Sequence, residues 1–197
     1  MKKLVLWLIL LVVASACELL NEVNPNYGSA GDAEKAGLEL FQIDGGDHSS
    51  TIAYRSFSGK KLTFEALFDS TAIYTTADPA NQADINKLYG FSDCSSHHHT
   101  NSARFGWRWY NSEMQIFAYA YNEGERTSKY LATVPLNEKR VYNILVEDDS
   151  YIFQLNGKEV KINRSCSGEA NGYKLYPYFG GDETAPKDIQ VWLKEVE

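Results

Sequence analysis

The sequence predicts an all-β sandwich. Three observations carry that reading. Short segments rich in Val, Ile, Tyr, Phe and Trp alternate apolar and polar residues; Gly, Asn, Asp, Ser or Pro separates most of them at intervals of about 8–12 residues; and only one stretch of the chain looks helical. The candidate strands are Leu38–Ile43, Thr51–Phe57, Leu62–Phe68, Ala103–Trp109, Met114–Tyr121, Tyr130–Val134, Val141–Val146, Tyr151–Leu155, Glu159–Ile162, Tyr173–Phe179 and Ile189–Val196, about eleven in all. Asn156-Gly157 is the strongest hairpin signal, because both residues tolerate positive φ. Pro177 cannot donate to a ladder, so the strand around it is an edge or carries a bulge. The helix-like stretch is Pro79–Leu88, one or two turns long.

The first sixteen residues stand apart. Met-Lys-Lys precedes the apolar run Leu4–Val13, which is too short to span a bilayer as a helix and has the layout of an export signal. Ala14-Ser15-Ala16-Cys17 resembles the lipobox of bacterial lipoproteins, with Ala14 where Leu is usual. The resemblance implies cleavage before Cys17, lipidation of Cys17, and a protein held at the cell envelope, on the outer membrane or cell surface; an ordinary secretory signal cut after Ala16 is the alternative. Each buried CH₂ of an acyl chain contributes about 0.8 kcal/mol, so a multiply acylated Cys17 would need no transmembrane helix. Residues 17–35 are rich in Asn, Gly, Ser, Pro and charge, and read as a flexible tether. The expected division is therefore a signal at 1–16, a lipidated tether at 17–35 and one domain at 36–197.

The 197 residues hold 26 Asp plus Glu against 19 Lys plus Arg, a net charge of −7, and two of the lysines leave with the signal. An acidic chain without a basic run is a poor partner for nucleic acid, which is bound by neutralising phosphates. Once Cys17 is lipidated, Cys94 and Cys166 remain, an even count suited to an oxidising compartment. A disulfide between them, one of two states open to this pair, would contribute about 4 kcal/mol by loop-closure entropy.

The order of elements adds a likeness. An aromatic strand leads to a tight Asn-Gly hairpin, and Tyr176-Pro177-Tyr178-Phe179-Gly180-Gly181 precedes a last strand. Residues 36–197 resemble in this rhythm the concanavalin A-like jelly rolls, which include lectins, laminarinase-type glycosidases and alginate-lyase-type polysaccharide lyases. The resemblance implies a jelly-roll sandwich and a carbohydrate partner.

The densest chemistry lies in Gly90–Tyr110. Three of the four histidines are consecutive, His97, His98 and His99, beside Asp93 and Cys94. On an extended chain only His97 and His99 would share a side. A zinc site on these two and Asp93 would need a further ligand, and no H-x-x-x-H or C-x-x-C spacing occurs. Neither metal nor cofactor is expected, and the histidines are left as glycan contacts, acid–base groups or plain loop residues. In the following strand Arg104, Gly106 and Arg108 alternate with Phe105, Trp107 and Trp109. If the arginine face lies on the concave sheet, its guanidinium forks suit a carboxylate, and Gly106 leaves room for a sugar ring. Tyr119 and Tyr121, and Tyr176 and Tyr178, are candidate stacking residues on neighbouring strands. Gly180–Pro186 carries two carboxylates in a turn, which suits loop capping better than calcium.

Laminarinase-type enzymes place paired carboxylates on one strand as Glu-x-Asp-x(x)-Glu, and this sequence has no such run. The alginate-lyase-type motifs are also missing, although Arg104, His98 and Tyr178 match that chemistry by residue type. The first expectation is thus a membrane-anchored domain that binds a polysaccharide with acidic groups through His97, His99, Arg104, Arg108, Tyr119, Tyr121, Tyr176 and Tyr178. A lyase that uses Arg104, His98 and Tyr178 on the same scaffold is the second. An envelope lipoprotein with a protein partner is the third.

Overall fold

A computed structural model describes residues 30–50 and 53–196. The signal, Cys17 and most of the tether lie outside the described residues, as do Thr51 and Ile52. Twelve strands form two six-stranded antiparallel sheets: β1 (Glu39–Ile43), β2 (Ser56–Gly59), β3 (Lys61–Phe68), β4 (Asn86–Ser92), β5 (Ser102–Tyr110), β6 (Glu113–Asn122), β7 (Glu125–Val134), β8 (Arg140–Val146), β9 (Ser150–Leu155), β10 (Lys158–Asn163), β11 (Ala170–Leu175) and β12 (Ile189–Glu195). One sheet runs β1-β12-β3-β8-β9-β10 and the other β2-β11-β4-β5-β6-β7. No helix among the described residues is long and apolar enough to cross a membrane.

Period-two alternation builds the core. Ala103, Phe105 and Trp107 of β5 and Ile116, Ala118 and Ala120 of β6 point inward, against Phe64 and Phe68 of β3, Tyr142 of β8 and Phe153 of β9. Phe64 stacks on Tyr142 at 5.0 Å, and Phe105 meets both Tyr142 and Phe153 edge-on at 5.0 and 5.2 Å. Burying each such ring stabilises the fold by roughly 2–3 kcal/mol, and the ring geometry adds about 0.5–1.5 kcal/mol per pair. At the predicted hairpin Asn156 and Gly157 both take positive φ, 52° and 73°, and join β9 to β10.

Four expectations are corrected. Residues 30–35, assigned to the tether, form a short helix, α1 (Ala30–Lys35), tied to the domain by Lys35 Nζ to Asp69 Oδ2 at 2.8 Å. The helix-like stretch is a 3₁₀ turn only over Pro79–Ala83; Asp78 caps it, Asp84 turns extended, and the chain becomes β4 from Asn86, a strand the sequence reading passed over. β2 starts at Ser56, later than expected. β11 ends at Leu175, because beyond it Pro177 has no N–H to give and Tyr178 makes only isolated bridges to Ser49 and Lys87.

Candidate functional site

The outer face of the second sheet carries a hollow of about 340 Å³ whose lining includes Tyr54, His98, Arg104, Tyr173, Leu175 and Tyr178. Its floor comes from β4, β5 and β11, where Gly90 pairs with both Arg104 and Leu175. A Cβ on Gly90 would sit 2.1 Å from the Ala103 carbonyl oxygen and 2.4 Å from Arg104 Cβ. Glycine there is what lets β4 approach β5 this closely beside Arg104. Larger hollows, about 430 Å³ beside β7 and β10 and about 600 Å³ at the Ala77–Asp78 and Asp182–Pro186 loops, are lined by no buried charged residue.

Arg104 is 6% exposed. Its Nε is buried without an acceptor, and no carboxylate among the described residues pairs with the guanidinium. The guanidinium lies over the ring of Tyr119, 5.5 Å from Cζ to the centroid. Burial works against its charge, and the hydroxyls of Tyr119, Tyr121, Tyr173 and Tyr178 offset this only in part. Lys87 of β4 shares the same ring: Nζ lies 5.4 Å from the Tyr119 centroid and 5.9 Å from that of Tyr178. Burial, then the charges of Arg104 and Arg126, push the Lys87 pKa down to about 8. An acidic molecule therefore holds a cationic floor, and β4, β5 and β11 contain no Asp or Glu. A buried guanidinium without a counter-ion is costly, and a bound carboxylate would relieve that cost.

The histidines stand on a turn, not on an extended strand, and this overturns the expectation that only His97 and His99 share a side. Their ring centroids lie 4.2 to 5.2 Å apart. Cys94 and Ser95 start the turn with φ of 55° and 51°, a conformation non-glycine residues adopt rarely. The disulfide Cys94–Cys166, with Cα atoms 5.9 Å apart, and Asp93 hold it in place. Asp93 accepts from Arg164 Nε at 2.7 Å, Tyr151 OH at 2.8 Å and the N–H groups of Cys94 and Asn171 at 2.6 and 3.0 Å. Burial raises the Asp93 pKa, but Arg164 and these donors outweigh it and hold it below the usual carboxylate value. Fully engaged in this way, Asp93 has no role as a metal ligand with the histidines.

His98 reaches into the hollow. Its Nδ1 lies 2.9 Å from Tyr173 OH, and burial, then the charges of Arg104, His99 and His97, lower its pKa to about 4. His99 stacks on Tyr121 at 5.2 Å, and burial, then His97, depress its pKa too. His97 is exposed and outside the hollow's lining. Tyr178 lines the hollow and stacks on His48 at 5.2 Å, while Tyr54 meets Tyr173 in a tilted contact at 5.5 Å. Tyr119 and Tyr121 face the same way as Arg104 further across the sheet, with centroids 5.9 Å apart.

Two sequence assignments do not hold. Arg108 does not join Arg104: four residues along β5 it bonds Gln115 Oε1 at 2.8 Å and the Ala83 carbonyl at 2.6 Å, over the rings of Tyr110 and Phe117. The space above Gly106 is filled, since a Cβ there would lie 2.5 Å from Ile85 Cγ2. Tyr176 does line the hollow; its ring packs on Phe41 at 5.6 Å and its hydroxyl is buried without a partner. Tyr173 lines the hollow beside it, and neither Tyr173 nor Lys87 was among the residues singled out from the sequence. Glu183 caps the loop as expected, accepting from the N–H groups of Ala77 and Asp78 at 2.8 and 2.7 Å.

No protein-family profile matches the chain, and no curated protein does. Solved structures do. Alginate lyase AlyC3 is 12% identical with a TM-score of 0.52, over 81% of this chain and 75% of that one. The laminarinase catalytic domain from Thermotoga maritima is 9% identical with a TM-score of 0.54, over 81% and 76%. The endo-β-1,3(4)-glucanase SCLam is 7% identical with a TM-score of 0.52, over 81% and 71%. This chain shares the jelly-roll sandwich fold of these structures. At such identities the likeness is one of fold, and the side chains on the concave face are this protein's own.

Proposed function

We propose that the jelly roll binds an acidic polysaccharide, with a uronate carboxylate seated on Arg104. One observation carries the reading: a buried guanidinium with an unpaired Nε and no carboxylate partner, on the floor of an open hollow. Lys87 supports it as a second cation over the same Tyr119 face, and the rings of Tyr54, Tyr173 and Tyr178 offer apolar faces for pyranose stacking. An alginate lyase of the same fold has been solved with dimannuronate, although 12% identity makes that a likeness of scaffold only. Isothermal titration of the protein with oligouronates and with neutral gluco-oligosaccharides tests the proposal. Saturable heat with the uronates and much weaker heat with the neutral sugars is the expected result. No uronate heat from the folded protein, or equal affinity for both classes, overturns it.

A second reading is β-elimination in the same hollow, favoured by the 2.9 Å contact between His98 Nδ1 and Tyr173 OH. In such a step a base takes the proton α to the uronate carboxylate, the bond from C4 to the glycosidic oxygen breaks, a C4–C5 double bond forms, and the departing oxygen gains a proton. Arg104 would neutralise the carboxylate and the His98–Tyr173 pair would move the proton, with Tyr178 on the wall of the same hollow. New absorbance near 235 nm on incubation with polyuronate, abolished in Tyr173→Phe and in Arg104→Ala, supports it. Binding without new absorbance leaves a carbohydrate-binding domain.

We also propose that lipidated Cys17 holds the protein on the bacterial envelope, with the outer membrane or cell surface as its place. Labelled palmitate incorporated by the full chain and lost in Cys17→Ser is the expected outcome. Labelling that survives in Cys17→Ser overturns it.

A further inference from the structure

We propose that the turn from Ser95 to Thr100 is a transition-metal site in which His97, His98 and His99 give three imidazole nitrogens to one Zn²⁺ or Cu²⁺ ion. One nitrogen from each ring already lies within 4.8 Å of the other two. Two nitrogens on a tetrahedral ion at 2.0–2.1 Å are about 3.3 Å apart, so the rings must close by no more than about 1.5 Å. His97 and His99 are exposed and can rotate to do so. His98 is the fixed member. Tyr173 OH engages its Nδ1 at 2.9 Å, which orients the ring and leaves Nε2 for the ion, the usual division of labour on a ligating imidazole.

The backbone is built to keep the three rings together. Thr100 N and Asn101 N both donate to the His97 carbonyl, at 2.8 and 3.1 Å, and Ser102 Oγ donates to the His98 carbonyl at 2.7 Å. Ser95 N donates to the Asn171 carbonyl at 2.8 Å, and the disulfide ties Cys94 to Cys166 beneath. The donor set also selects the ion. Three imidazoles suit Zn²⁺ or Cu²⁺, whereas Ca²⁺ and Mg²⁺ demand oxygen shells that this turn does not offer, since Asp93 is spent on Arg164 and Tyr151. Three nitrogens leave the remaining position on the ion open for water or an exchangeable ligand. The site does not depend on the glycan reading, because His97 and His99 lie outside the hollow's lining.

The test uses the full chain, purified without a polyhistidine tag and stripped with chelator. Zn²⁺ is titrated in competition with a chromophoric chelator, and Cu²⁺ is followed by electron paramagnetic resonance. One ion per chain is expected, with a Kd tighter than about 10 µM and nitrogen hyperfine structure from three imidazoles. His97→Ala and His99→Ala should each weaken binding about 10-fold or more, while His48→Gln leaves it unchanged. Circular dichroism of each variant confirms that it folds. No ion bound below about 100 µM, affinity unchanged in the His97→Ala/His99→Ala double variant, or an equal loss in His48→Gln overturns the site. Oligouronate heat that persists in the double variant separates the fate of this site from that of the glycan proposal.

Discussion

Replacing Arg104 with methionine should strengthen the fold while it weakens the ligand. In the free protein Arg104 is 6% exposed, its Nε is unpaired, and its guanidinium lies over the Tyr119 ring at 5.5 Å. An unsatisfied buried donor costs about 1–3 kcal/mol, and the cation–π contact returns about 0.5–2 kcal/mol. Methionine keeps the aliphatic stem in the same slot and removes both contributions, so the net gain is about 1 kcal/mol. In a domain of this size that raises Tm by about 2–4 °C. Lost charge-assisted hydrogen bonds of about 1.5–3 kcal/mol weaken uronate binding roughly 10- to 150-fold. Calorimetric melting and isothermal titration on the same two samples give both numbers. A Tm that falls by more than about 2 °C would mean that the guanidinium holds the fold together, and an unchanged Kd would remove it from the ligand site.

Three further outcomes follow from the same geometry. Lys87 is cationic below its pKa of about 8, so uronate affinity should be present below that pH and decline as pH rises through it; Lys87→Met should remove the step, and a wild-type profile flat across it excludes Lys87 from the site. Asp93→Ala strands Arg164 in a dry interior and should cost about 3–5 kcal/mol by urea unfolding. In the wild type this carboxylate's contribution is complete above the unfolded value of 3.8 and is lost as pH falls through its lower folded value, so an unchanged unfolding midpoint in Asp93→Ala would refute the hub. Gly90→Ala drives a Cβ into the Ala103 carbonyl and Arg104 Cβ; it should lower stability by about 1–3 kcal/mol and weaken uronate binding together, and wild-type values for both would show that β4 and β5 can part there.

The alternation of β5 and β6 was legible residue by residue, because neither strand is interrupted along Ser102–Tyr110 and Met114–Tyr121; the one register shift of the pair β6–β7 leaves the facing of Phe117, Tyr119 and Tyr121 intact. β4 was not. A register shift between Lys87 and Gly90 buries Leu88 and Tyr89 side by side, and the glycine reads as a breaker when taken alone. Losing β4 hid Lys87, the cation that shares the Tyr119 ring with Arg104. The penultimate strand differs for another reason: a strand was expected through Phe179, whereas β11 stops at Leu175, and Tyr173 joins Tyr176 and Tyr178 around the hollow. The clustering of the three histidines is a tertiary fact. It depends on Cys94 and Ser95 in left-handed conformations, held by a disulfide partner and by Asn171, both more than seventy residues away.

The contrast between a net charge of −7 and the cationic floor bears on kinetics as well as affinity. From beyond a Debye length of about 8 Å a polyanion meets an acidic body and is repelled, and only within the hollow do Arg104 and Lys87 dominate. Added salt should then hasten encounter by screening the repulsion, and hasten departure by loosening the seated carboxylate. Association and dissociation rates that rise together as ionic strength increases would be the kinetic signature of a negatively charged molecule that captures its own kind of charge.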